Sequence, residues 1–198
     1  MVLGSEPMNL RNTTKTLALA GVFIALTFSD QAVSANTTAA EASPVLDAAP
    51  NGFSIQFEQT IQATPKQVYQ ALTQDIGQWW LAAHTWYGSS ANMTLAAKAG
   101  GCFCEIAAEG RETEHMRVVK VEPNQLIRLS GGLGPLQGEG LSGVMDWQIQ
   151  STSEDLVTLR VSYRVGGYSP NDLSAWAAPV ATVLQQQMRA MQTFVEAN

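Results

Sequence analysis

Few side chains in this sequence are equipped for chemistry, and several of them fall in one short stretch. Cys102 and Cys104 flank Phe103, and Glu105, Glu114 and His115 follow closely. In a strand, residues i and i+2 share a face with their Cα atoms about 6.6 Å apart, the outer limit for a disulfide. A hairpin turning at Glu109-Gly110 sets Cys104 opposite His115 and Cys102 opposite Arg117. Two thiols and one imidazole on one face are soft-metal ligands. The fourth ligand is missing, however, and the other histidine, His84, has no defined place in the set. The stretch therefore reads as a buried thiol pair or a redox-labile disulfide, and no metal and no cofactor is expected. Glu105 and Glu114 can approach each other across the hairpin. Glutamates on an exposed strand face are usually solvated, so no acid–base pair is assigned to them. The sequence has no Gly-x-Ser-x-Gly elbow and no His-Glu-x-x-His motif.

Aromatic residues are the second concentration. Trp79, Trp80, Trp86 and Tyr87 crowd one segment, and Trp147, Tyr163 and Trp176 lie further along. Small-molecule pockets are usually apolar with aromatic walls and a few polar tips. Together with Phe103, His115 and Met145, these residues form the candidate wall of such a pocket, with Trp80 and Trp147 foremost. Any one of them taken alone is more simply a core residue. A third feature runs from Ser130 to Gly143 and holds six glycines in fourteen positions. It lacks the Gly-Lys-Ser/Thr ending of a phosphate-binding loop, which excludes nucleotide binding of that kind. It reads as a mobile flap over a cavity or as a plain surface loop.

The elements that must hold these groups follow from periodicity. Phe53-Ser-Ile-Gln-Phe57 alternates, and Ile61 and Ala63 keep the same parity, giving a long half-buried strand. Thr64 can cap a helix and Pro65 suits its first turn, so a short helix runs from about Pro65 to Thr73, with Gly77 breaking it before Trp79. Short strands follow at Met93–Leu95, Gly101–Ile106, Glu114–Val121, Leu126–Leu129, Met145–Ile149 and Val157–Val165, joined by short polar turns. That is an antiparallel meander. Val180, Val183, Leu184, Met188, Met191, Phe194 and Val195 recur at helical spacing, with Gln185, Gln186, Arg189 and Gln192 opposite, so the chain closes on a long amphipathic helix. The fold class is α+β: a curved antiparallel sheet of six to seven strands whose concave face is covered by the C-terminal helix.

This order of elements resembles the START/SRPBCC superfamily and its helix-grip fold. Within it the chain resembles bacterial homologues of the activator of the heat-shock-protein-90 ATPase. The resemblance rests on Ala63-Thr-Pro-Lys-Gln-Val-Tyr-Gln-Ala-Leu72, Trp79-Trp80 and Gly100-Gly-Cys-Phe-Cys-Glu105. It continues through Leu126-Ile-Arg-Leu-Ser-Gly-Gly-Leu-Gly-Pro-Leu136, Gly143-Val-Met-Asp-Trp147 and Tyr163-Arg-Val-Gly-Gly-Tyr168, and covers roughly residues 53–197. It implies a cavity between sheet and long helix that holds an apolar ligand. Fold alone does not fix function, and the superfamily spans carriers, cyclases and chaperone cofactors.

Composition narrows the choice. The chain of 198 residues carries a net charge of −6 and only 14% charged residues. An acidic surface repels phosphate backbones, which argues against nucleic acid as partner. Arg11 and Lys15 precede an apolar run from Leu17 to Phe28, and Val33-Ser34-Ala35 offers small residues for cleavage. This is the anatomy of a secretory signal peptide over residues 1–35, too short for a comfortable membrane span. Residues 36–51 then read as a flexible leader and 52–198 as the domain. The sequence thus describes an exported protein, periplasmic or extracellular, without stable membrane insertion after cleavage, that holds a small apolar molecule. The alternatives are a cyclase/dehydratase-like enzyme using His115, Tyr163 and Arg128, or a cochaperone-like module with a protein partner.

Overall fold

The computed structural model describes residues 43–198. The signal-peptide reading of residues 1–35 lies outside them. Eight strands form one antiparallel sheet in the order β1-β2-β8-β7-β6-β5-β4-β3. They are β1 Val45–Ala49, β2 Gly52–Ile61, β3 Met93–Leu95, β4 Cys102–Ile106, β5 Glu112–Glu122, β6 Leu126–Ser130, β7 Leu141–Ser153 and β8 Leu156–Gly167. Three helices complete the domain: α1 Pro65–Thr73, α2 Ile76–Trp79 and α3 Ala177–Glu196. The fold is α+β, a sheet with a long C-terminal helix, as the periodicity indicates. Among the described residues no helix is long and apolar enough to cross a membrane.

Three differences from the sequence reading have local causes. The sheet has eight strands, not six or seven, because the segment read as leader contributes β1, which pairs with the free edge of β2 from Ala49↔Gly52 to Val45↔Ile55. Gly77 does not end helical structure. It sits inside α2, where a Cβ would lie 3.2 Å from the carbonyl oxygens of Ser90 and Met93, so glycine permits close packing. The Gly-rich segment is also shorter than its composition suggests. β6 runs to Ser130 and β7 begins at Leu141, with a 3-10 turn over Gly134–Glu139 between them.

The start of α1 is written in the sequence. Thr64 Oγ1 accepts the Gln67 backbone N–H at 3.3 Å, Gln67 Oε1 accepts the Thr64 N–H at 3.0 Å, and Pro65 follows at the first turn. Two otherwise orphaned donors are thereby satisfied, worth about 1 kcal/mol. Val68, Ala71 and Leu72 face inward from this helix. From α3 the buried stripe is Ala177, Ala181, Leu184, Met188, Met191 and Val195, with one polar member, Gln187. Gln187 Oε1 accepts the Leu81 N–H at 2.9 Å and so ties the helix to the loop after α2. Gln192 Nε2 donates to Thr60 O at 3.0 Å, fixing the other end of α3 to β2.

Candidate ligand-binding site

The site is assembled from five segments, and a β-bulge decides its chemistry. β4 and β5 pair with Phe103 opposite Met116 and Cys104 opposite Glu114, so His115 is one residue too many for the ladder. A bulge places successive side chains on the same side of the sheet, and His115 and Met116 are both buried. The register expected from the hairpin held at Cys102↔Arg117, but Cys104 faces Glu114 instead of His115. Cys102 and Cys104 are joined in a disulfide, with Cα atoms 5.3 Å apart. They lie on the face away from Phe103, Glu105 and His115, so the conceivable two-thiol, one-imidazole set does not assemble.

Glu105 is not solvated. Its side chain is fully buried, and its two oxygens accept the backbone N–H groups of Trp86 (Oε2) and Tyr87 (Oε1), each at 2.7 Å. His115 Nε2 stands 3.3 Å from Oε2, within ion-pair reach but off the line of a hydrogen bond. Burying a carboxylate is costly unless donors compensate it, and here the aromatic segment supplies them. Burial pushes the His115 imidazole below its usual range, and the facing Glu105 carboxylate only partly restores it.

Beside this pair opens a cavity of about 340 Å³, bounded by the loop after α2, the Gly-rich turn and the first half of α3. Its walls include Trp80, Leu133, Trp176, Val180, Val183 and Leu184, with His115 among them. Trp80 Nε1 donates to His84 O at 3.0 Å, which folds the loop onto its own tryptophan. Leu133 and Pro135 bring the Gly-rich turn to the cavity, and Tyr163 anchors that turn from behind. The Tyr163 hydroxyl accepts Leu133 N–H at 2.9 Å and donates to Gly131 O at 3.0 Å. A Cβ at Gly143 would meet the Tyr163 ring at 2.8 Å, so glycine is what lets the phenol lie across β7. Burial pushes the Tyr163 phenol up to about 12.

Of the ten wall residues expected from sequence, Trp80, Trp86, His115 and Trp176 line the cavity. Trp86 is 52% exposed and stands at the cavity's outer side. Phe103, Met145, Trp147 and Tyr163 are instead fully buried core between sheet and helix. Phe103 packs between Trp80 (5.3 Å between centroids), His115 (5.4 Å) and Trp147 (6.0 Å), linking floor to core. Trp79 is core, with Nε1 donating to Ala71 O at 2.8 Å, and the Tyr87 hydroxyl bonds Thr113 Oγ1 at 2.8 Å. Arg128, considered as an acid–base group, lies on the outer face and grips Asp146 with two hydrogen bonds of 2.7 and 2.8 Å. Its strand parity explains this, since Ile127 and Leu129 occupy the inward positions. Sequence reasoning missed Val180, Val183 and Leu184 as walls, although the apolar stripe of α3 contained all three; it missed Glu105 by placing the glutamate on an exposed strand face, although it shares the parity of Phe103 in β4.

An open antiparallel sheet closed by one long helix, with an apolar cavity at the helix's first half, defines the helix-grip class, and the chain has this fold. Known structures agree. A protein of Mesorhizobium loti aligns with 73% of this chain and 98% of its own at 19% identity and a TM-score of 0.52. An uncharacterised protein of Rhizobium leguminosarum covers 74% and 96% at 15% identity and a TM-score of 0.53. A norcoclaurine synthase point mutant of Thalictrum flavum, in complex with a transition-state analogue, covers 73% and 94% at 13% identity and a TM-score of 0.52. At these identities the likeness is one of fold. No family model and no curated protein matches the chain.

Proposed function

We propose that this protein binds a small, largely apolar molecule in the cavity beneath the first half of α3, and does so after export from the cytoplasm. The observation that carries the binding reading is the cavity itself: about 340 Å³, walled by Trp80, Trp176, Val180, Val183 and Leu184, with a single deeply buried polar side chain, His115. That is the size and composition of small-molecule sites in general. A protein of the same fold solved with a transition-state analogue supports a ligand site in this architecture. The export reading rests on Arg11, Lys15 and the apolar run from Leu17 to Phe28.

One observation favours a second reading, an enzyme of the cyclase/dehydratase kind. A carboxylate held by two backbone N–H groups and facing a buried imidazole is a common acid–base arrangement. Native mass spectrometry of protein purified from its own envelope fraction tests both parts of the first reading. A mass matching residues 36–198 with a small apolar adduct is the expected result. A full-length mass sinks the export reading. Protein that is repeatedly empty and binds no lipophilic probe sinks the binding reading, and release of a chemically altered adduct moves the assignment to the enzyme.

A further inference from the structure

Among the described residues, buried side-chain polar atoms without a hydrogen-bond partner occur on His115, Trp147 and Gln187. Of these three, His115 alone lines the cavity. The residue is only 4% exposed, and neither Nδ1 nor Nε2 makes an aligned hydrogen bond. A buried polar atom left unpaired costs about 1–3 kcal/mol, so a group with a cavity beside it is one that a ligand can satisfy. Of the other polar groups of the wall, Thr85 Oγ1 donates to Ala82 O at 2.8 Å and Trp80 Nε1 donates to His84 O, while the His84 and Trp86 side chains are partly open to water, which can serve them.

The facing carboxylate sets which nitrogen is free. Both oxygens of Glu105 accept backbone N–H groups, so the carboxylate offers lone pairs and no proton to the imidazole. The carboxylate therefore favours the hydrogen on Nε2, which stands 3.3 Å from Oε2. Nδ1 is left as a bare acceptor. We propose that His115 Nδ1 is a recognition point for one hydrogen-bond donor on the ligand, so that the cavity takes an apolar ring or chain bearing a hydroxyl, phenol or enol in preference to a pure hydrocarbon. The inference rests on the cavity reading above. It adds the chemical class of the ligand: hydroxylated, uncharged and largely hydrophobic. A carboxylate or phosphate ligand is disfavoured, because it would bring a second anion close to Glu105.

Two probes of similar shape test this on the full chain: 1-naphthol, which has the donor, and 1-methylnaphthalene, which does not. Dissociation constants are measured by quenching of tryptophan fluorescence for the wild-type protein and for His115→Phe. The expected result is that His115→Phe weakens 1-naphthol by roughly five- to tenfold relative to 1-methylnaphthalene, the range of one neutral hydrogen bond. A change in that ratio of less than about twofold, with both proteins binding, overturns the inference and leaves the cavity reading standing. Failure of both probes to bind the wild type overturns the two together. If His115→Phe does not fold, imidazole nitrogen NMR of the wild type decides, helped by there being only two histidines. A protonated Nε2, with an Nδ1 resonance that moves on adding 1-naphthol and stays put with 1-methylnaphthalene, supports the proposal. The opposite tautomer, or no selective shift, overturns it.

Discussion

The backbone N–H of Trp86 donates to Glu105 Oε2 at 2.7 Å, so the tryptophan at the cavity's outer side is tied to a carboxylate buried in β4. Tyr87 makes the companion bond to Oε1. One side chain therefore holds the aromatic segment and at the same time faces the imidazole on the cavity floor. Glu105→Gln keeps the shape but turns one acceptor into a donor aimed at an N–H. We predict a loss of about 1–3 kcal/mol in urea unfolding, with faster amide exchange confined first to Trp86 and Tyr87. Unchanged exchange at both amides would show that the carboxylate does not hold the segment.

His115 gives stability a defined pH dependence. Its folded-state affinity for a proton is lowered by burial, against the pull of Glu105. Well above a pH of about 6.5 the imidazole is neutral in both states. As pH falls through that value, the unfolded chain takes up a proton before the folded one does, so stability drops until the folded imidazole also protonates. Other groups titrate nearby, and the difference between wild type and His115→Phe isolates this part. The wild type is expected to lose more stability than the variant between pH 7.5 and pH 5.5. Parallel unfolding midpoints for the two proteins would count against it.

Tyr163 holds the Gly-rich turn through its hydroxyl, and burial pushes that phenol up to about 12. In an ultraviolet titration Tyr163 should ionise at about 12, above the range of an ordinary tyrosine. The sign for stability is the reverse of the histidine case: the unfolded phenol loses its proton first, so this contribution falls as pH rises between about 10 and 12. Tyr163→Phe removes the partner of Leu133 N–H and Gly131 O and is expected to cost about 1–3 kcal/mol. It should also weaken binding at the cavity, because Leu133 is part of its wall. Stability and probe affinity both equal to wild type would refute the anchoring role.

The Cys102–Cys104 disulfide closes a ring around Phe103 alone. A ring that small removes little freedom from the unfolded chain, about 1–2 kcal/mol by the loop-closure relation. The double variant Cys102→Ser, Cys104→Ser should therefore fold and lose no more than that in chemical denaturation. A loss well above it would show that the bridge also holds β4 against the bulge in β5.

What the sequence determined by itself is local and periodic. Thr64, Pro65 and Gln67 specify the start of α1 because a helix cap needs only neighbours in the chain. The i, i+3/4 stripe on α3 and the alternation in β2 and β8 specify which faces turn inward, because those periods are properties of the backbone. The same alternation placed Phe103 and Glu105 on one face of β4. Only the tertiary structure decided that His115 joins them. A bulge is a mismatch between two strands, and nothing in β5 alone announces it. Packing likewise separated the aromatics. Phe103, Trp147 and Tyr163 meet other side chains from every direction and become core. Trp80, Trp86 and Trp176 stand where the loop after α2, the Gly-rich turn and α3 leave a gap. Their residue type is the same in both places, and the gap exists only once α3 has settled on the sheet.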